Sequence, residues 1–186
     1  MLLRPQGVLG SGSHPDRSRP ATRPAPQYLA VAVRAGVRLA VDVGSVRVGV
    51  ARSDPAGVLA TPLTVLASGP GTKNELAKLA AEADALEVIV GLPTSLSGRE
   101  GAAAVGARKF ASELASRLTP IPVRLVDERF TTTEAHDALR RGGKDSRARR
   151  QVVDAAAAAV LLQAALDAER ATGRPAGQPV TWGAST

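Results

Sequence analysis

Apolar and polar positions follow two periods along this chain, and the changes of period mark its elements. Val37 to Val43 is an apolar run that reads as a strand. Arg47 to Arg52 places Val48 and Val50 two apart and reads as a second strand. Asp54-Pro55-Ala56-Gly57 has proline at the second position of a turn. Leu59 to Leu66 is a third strand, in which Pro62 marks an edge or an irregularity. The three form an antiparallel meander. Thr72 to Ala85 has helical spacing. Val88-Ile89-Val90 is short and wholly apolar, the pattern of a strand buried on both faces. A loop from Gly91 to Gly101 leads into a helix that runs through Leu118, and Val123 to Val126 is the fifth strand. Thr131 to Leu139 is helical, with Thr131 and Glu134 at capping-box spacing. Arg140 to Arg150 is a basic loop containing glycine, and Gln151 to about Arg170 is the last helix. In that helix Val153, Val160 and Leu161, with Ala157 between, make an apolar stripe bordered by Asp154. The order βββαβαβα predicts an α/β fold, a five-stranded mixed sheet flanked by helices.

The flanks have no periodicity. Residues 1–36 mix proline, glycine, serine and arginine and are expected to be a disordered tail; 171–186 reads as a shorter flexible C-terminal tail. The folded domain is expected over 37–170.

Composition narrows the chemistry. Hydrophobic residues are 44% of the 186, but aromatics only 2%, so alanine, valine and leucine must fill the core. The absence of cysteine excludes disulfides, thiolate catalysis and cysteine metal sites. His14 and His136 stand in unrelated contexts, so hard oxygen ligands, and with them Mg²⁺ or Mn²⁺, are the metal chemistry to expect. A net charge of +7 suits a polyanionic partner. Few aromatics are available to stack on bases, which favours backbone recognition of structured nucleic acid over single-strand reading. No run is apolar enough to span a membrane, and Met1 to Gly10 has no sustained apolar segment of the secretory kind. A cytoplasmic protein without membrane contact is expected.

Three carboxylates occupy positions where burial is expected. Asp42 ends the first strand and opens Asp42-Val43-Gly44-Ser45-Val46-Arg47-Val48-Gly49. Asp127-Glu128-Arg129 follows the fifth strand, and Asp154 interrupts an apolar helix. A buried carboxylate is costly without a partner, and three together repel unless protonated or bound to a cation. A shared divalent metal and phosphoryl chemistry would account for all three. Each also has a plainer account. Asp42 could cap a hairpin as an Asx-turn. Asp127 and Glu128, adjacent in a strand, point to opposite faces, so only one can join Asp42. Glu128 is taken as the ligand, the other acid being free to pair with Arg129 or Arg47; a surface salt-bridge cluster is the alternative. Asp154 has no local partner, although proximity to a helix N-terminus would favour it.

The surroundings supply further candidates. Gly44 and Gly49 flank a tight connection that Arg47 would brace. The loop after the central strand lies where open α/β sheets bind ligands, and its Arg99 could meet a phosphate. It lacks the Gly-Lys-Ser/Thr of a P-loop. Arg140, Arg141, Lys144, Arg147, Arg149 and Arg150 form the densest basic segment, just before Asp154, and could hold a phosphate backbone.

Together, Asp42-x-Gly44-x-x-Arg47-x-Gly49, Val88-Ile89-Val90-Gly91-Leu92-Pro93 with Gly98, Asp127-Glu128-Arg129-Phe130-Thr131-Thr132 with Glu134-Ala135, and Val153-Asp154-Ala155-Ala156-Ala157 resemble, in order, the motifs of the YqgF/RuvX family over about Val37 to Ala168. The resemblance implies a ribonuclease H-like fold. It implies Asp42, Glu128 and Asp154 as a catalytic acidic triad that holds one or two Mg²⁺ (or Mn²⁺) ions. The function it implies is a metal-dependent nuclease, an endonuclease acting on structured nucleic acid at the 5′ end of pre-16S rRNA. A Holliday junction resolvase in DNA recombination and repair is the alternative, and that activity would call for a homodimer making paired nicks. A non-catalytic, ribosome-associated nucleic-acid-binding module is a further one. The Asp42 to Gly49 segment also resembles actin-like and sugar-kinase phosphate loops weakly, but about 130 core residues are too few for two such lobes.

Overall fold

The structure is a computed structural model that describes residues 33–93, 101–128 and 147–181. The expected meander is present as β1 (Arg38–Val43), β2 (Arg47–Ser53) and β3 (Ala60–Ala67). It is followed by α1 (Thr72–Glu82), β4 (Glu87–Leu92), α2 (Ala102–Leu118), β5 (Val123–Asp127), α3 (Arg147–Thr172) and a short β6 (Gln178–Pro179). The helix expected at 131–139 and the tail over 1–32 lie outside the described residues. Among the described residues no helix is long and apolar enough to cross a membrane.

The sheet has six strands in the order β3-β2-β1-β4-β5-β6, one more than the five expected. β1 pairs antiparallel with β2 and parallel with β4, β4 pairs parallel with β5, and β6 adds antiparallel to β5. Pro62 stands on the edge strand, opposite Ala51, where the β2–β3 register shifts. A proline has no N–H for the ladder, so it is tolerated there and not in the middle of the sheet. Every residue of β4 is buried, as the apolar run Val88-Ile89-Val90 requires, and Glu87 at its start is buried with it.

Alternation on β1 divides the core into two layers. Leu39 and Val41 join Val48, Val50, Val88 and Val90 beneath α1 and α2. Ala40 joins Ala51, Ile89 and Val126 beneath α3. The face of α3 that meets the sheet runs through Ala158, Leu161, Leu162, Ala165 and Leu166, at helical spacing. This differs from the expected stripe, because Val153 and Val160 are only half-buried. Alanine, not valine, takes the innermost positions because the helix lies close on the strands. A Cβ at Gly49 of β2 would stand 2.0 Å from the carbonyl oxygen of Asp154.

Both ends of the domain hold more than periodicity indicated. Residues 173–181, expected to trail free, return to the sheet and form β6. The guanidinium of Arg124 donates to the carbonyls of Ala176 (2.6 Å) and Gly177 (2.7 Å), and the amide of Val180 donates to Val123 (2.9 Å). Before β1, Arg34 donates to Glu87 Oε1 (2.6 Å) and to Glu169 Oε1 (2.8 Å), and Arg38 reaches the same two carboxylates. Arg38, Glu87 and Glu169 are 0%, 2% and 3% exposed, so these charges form a buried network at the amino ends of β1 and β4.

Candidate active site

The three candidate acids lie at the opposite end of the sheet, the carboxyl ends of β1, β4 and β5. Asp42 is the fifth residue of β1, on the same face as Ala40, toward α3. Its antiparallel partner on β2 is Gly49. On the other side Val41 pairs with Val90, so the next residue of β4, Gly91, lies beside Asp42. Asp42 is thus flanked in the sheet by two glycines, and each clears space for another acid.

At Gly91 a Cβ would lie 3.0 Å from Glu128 Oε1 and 3.1 Å from Leu161 Cδ2. Glu128 follows β5 directly and extends its carboxylate across β4 toward β1, over the one position of β4 with no side chain there. It shares the α3-facing side with Val126, while Asp127 alternates to the other face. At Gly49 the space is taken by the backbone of α3 at Asp154. Asp154 precedes Ala158 by one turn and so extends the sheet-facing stripe toward the helix N-terminus.

The Asp154 carboxylate has a partner that local sequence does not disclose. Arg47, the first residue of β2, donates from Nε to Asp154 Oδ2 at 2.5 Å across 107 residues of sequence. The two side chains are each 29% exposed. Arg47 is expected to brace the hairpin or to pair with Asp127; its guanidinium pairs with Asp154, and its carbonyl does the bracing by accepting from Gly44 N–H at 2.9 Å. Gly44 is required there, since a Cβ would stand 2.6 Å from that same oxygen. Among the described residues no group of three or more His, Cys, Asp or Glu side chains is close enough to hold one metal ion.

The donor set nonetheless suits a hard divalent cation: carboxylate oxygens from β1, the end of β5 and α3, with no histidine or cysteine among the described residues. Beside Asp154 a groove of about 430 Å³ opens between β3 and α3, lined by Pro62, Leu63, Val65, Val152 and Ala155. Arg99, Arg129, Arg140, Arg141 and Lys144 lie outside the described residues. Arg147, Arg149 and Arg150 fall in the first turn of α3, and their side chains lie outside the described ones.

Sequence reasoning passed over Gly91 as the start of a loop. The signal was available: a glycine that ends an otherwise β-branched buried strand marks a close approach.

The family whose model matches residues 36–168 is described as "RuvX: Holliday junction resolvase". The chain belongs to the RuvX family. Similar RuvX-type proteins carry the name "Putative pre-16S rRNA nuclease". The one from Thermobifida fusca is 57% identical over 155 residues, which cover 80% of this chain and 98% of that protein. The one from Nocardioides sp. is 55% identical over 153 residues, again 80% of this chain and 98% of the relative. Among solved structures, a RuvC from T. thermophilus in complex with Holliday junction substrate superposes with a TM-score of 0.50 at 19% identity, covering 78% of this chain and 99% of that one. That likeness establishes the RuvC-like, ribonuclease H-like sheet and helices for this RuvX-family chain.

Proposed function

We propose that this chain is a metal-dependent endonuclease that hydrolyses phosphodiester bonds in structured RNA and processes the 5′ end of pre-16S rRNA. The observation that carries the reading is the placement of Asp42 between Gly49 and Gly91, with Asp154 brought in over one glycine and Glu128 over the other. Like charges brought to one end of a sheet repel, and a shared cation would offset that repulsion. The relatives' shared name supports the choice of substrate.

Asp42, Glu128 and Asp154 would hold one or two Mg²⁺ or Mn²⁺ ions. Such ions supply an acidified water as nucleophile and charge neutralisation at the leaving 3′ oxygen. The protein's own part is to fix the carboxylates on rigid elements and to hold the substrate. Arg99, Arg140, Arg141, Lys144, Arg147, Arg149 and Arg150 would contact phosphates, where guanidinium groups bind bidentately and without regard to base. The compartment this implies is the cytoplasm, where precursor rRNA is made.

The test is side-by-side cleavage of a pre-16S rRNA 5′ fragment and a synthetic four-way DNA junction, with Mg²⁺, by wild type, Asp42→Asn and Asp154→Asn. The RNA fragment should be cut. Each substitution should lower the rate on the order of 10²–10³-fold, the size of effect seen on removing one electrostatic contributor to a transition state, with RNA binding retained. Cleavage of the junction alone would transfer the reading to a resolvase. Full activity in Asp154→Asn would refute the triad, and binding without any cleavage would leave a non-catalytic module.

A further inference from the structure

We infer that Arg47 is a resident cation on Asp154, which a divalent metal ion must displace to complete the site; the inference rests on the metal-site reading above. Three features lead to it. First, the Asp154 carboxylate is occupied by Arg47 Nε at 2.5 Å, and with that pair formed no three acidic side chains make a metal-holding group among the described residues. Sharing an ion with Asp42 and Glu128 would take the Asp154 carboxylate from Arg47.

Second, the backbone on both sides of the pair is fixed. Arg47 closes the hairpin through its carbonyl to Gly44 N–H, and Asp154 rests its carbonyl on Gly49. An exchange of partner then requires side-chain rotation alone. Third, both side chains are 29% exposed, unlike the 0–3% of the buried Arg38–Glu87–Glu169 network. Water can reach the pair and solvate the guanidinium as it leaves. The charge balance explains why an arginine stands here. Without a metal, Asp154 would repel the neighbouring acids, and one guanidinium offsets that repulsion. A divalent ion brings twice the charge and takes its place.

Competition of this kind lowers apparent metal affinity by the fraction of molecules in which the pair is closed. Mn²⁺ titration calorimetry on the full chain tests it. Arg47→Gln should bind Mn²⁺ more tightly, on the order of tenfold if the pair is closed nine times in ten. Arg52→Gln removes the same charge from an exposed position of the same strand and should leave the affinity unchanged. An Arg47→Gln affinity equal to or weaker than wild type overturns the inference, as does equal tightening in Arg52→Gln, which would signify a general field effect.

A second measurement uses the wild-type protein and does not depend on a variant's folding. The ¹H–¹⁵N signal of Arg47 Nε, identified by its loss in Arg47→Lys, should move to the position of a solvated arginine as Mg²⁺ saturates. A signal that stays in place while Mg²⁺ binds overturns the exchange. Asp42→Asn separates the two levels. If wild type binds Mn²⁺ and Asp42→Asn does not, the metal site stands and only the role of Arg47 is in question. If wild type binds none, the metal site falls and the role of Arg47 with it.

Discussion

The glycines on the two sides of Asp42 make room for different atoms, a side chain at Gly91 and a helix backbone at Gly49. At Gly91 an added methyl would meet the mobile ends of Glu128 and Leu161, at 3.0 and 3.1 Å. Those ends can shift, so Gly91→Ala should cost only about 1 kcal/mol while turning the Glu128 carboxylate away from Asp42. At Gly49 the methyl would meet the Asp154 carbonyl at 2.0 Å, and that atom belongs to a helix backbone. Relief there means moving α3, at a cost of about 3 kcal/mol or more. Urea unfolding should rank Gly49→Ala well below Gly91→Ala, while cleavage should be severely impaired in both; equal stabilities would show that α3 can lift from β2 at little cost. At this scale Asp42 and Asp154 were legible as acids out of place in apolar segments. The partner of Asp154 was not, because Arg47 is 107 residues away and a charged side chain carries no mark of what it reaches.

Strands and helices with a sustained period were legible nearly to their ends. β1, β2, β3 and β5 follow from alternation or apolar runs, and Pro62 disclosed the edge. β6 could not be read. Its two residues are too few to alternate, and one is a proline. It is held from outside, by the Arg124 guanidinium on the carbonyls of Ala176 and Gly177. Arg124→Ala should therefore release the strand, with a loss of about 1.5–3 kcal/mol, the usual worth of a hydrogen bond to a charged group. Amide exchange checks this directly: the Val180 N–H, bonded to Val123, should lose protection while amides in β4 keep theirs. Retained protection at Val180 would mean that the ladder alone holds β6.

For the whole molecule, the buried charge network at the amino ends of the strands bears on acid stability through Glu169. Burial pushes the Glu169 carboxyl up, but hydrogen bonds from the side chain and backbone of Arg34, with Arg38 beside it, outweigh burial and hold it below its ordinary value of 4.5. A carboxyl lowered in the folded state stabilises fully above its unfolded value and less as pH falls through the folded one. Stability should therefore fall as pH drops below about 4.5, with Glu169 contributing to the slope. Glu169→Gln should flatten that slope. It should also lower stability at pH 7, by less than about 3–5 kcal/mol, the cost of a buried charge left wholly unpaired, because Arg34 and Arg38 keep Glu87. Thermal unfolding between pH 3 and 7 compares the two; an unchanged slope would assign acid sensitivity elsewhere. Composition gave no hint of this network. Arg34 fell within the expected tail, and nothing in the local pattern singled out Arg38, Glu87 or Glu169. Their burial depends on three elements meeting, which no local pattern records.

α3 joins the two ends of the molecule. Glu169 is tied to Arg34 and Arg38 at one end of the sheet, and Asp154 lies over Gly49 at the other. The fifteen helical steps from one to the other span about 22 Å at helical rise, so the helix acts as a ruler between a fixed anchor and the reacting end. Adding or deleting one residue in that interval would swing Asp154 by about 100° around the axis and slide it by about 1.5 Å. No single substitution could restore both at once. The length of this interval thus matters more to the position of Asp154 than the identity of most of the alanines that fill it.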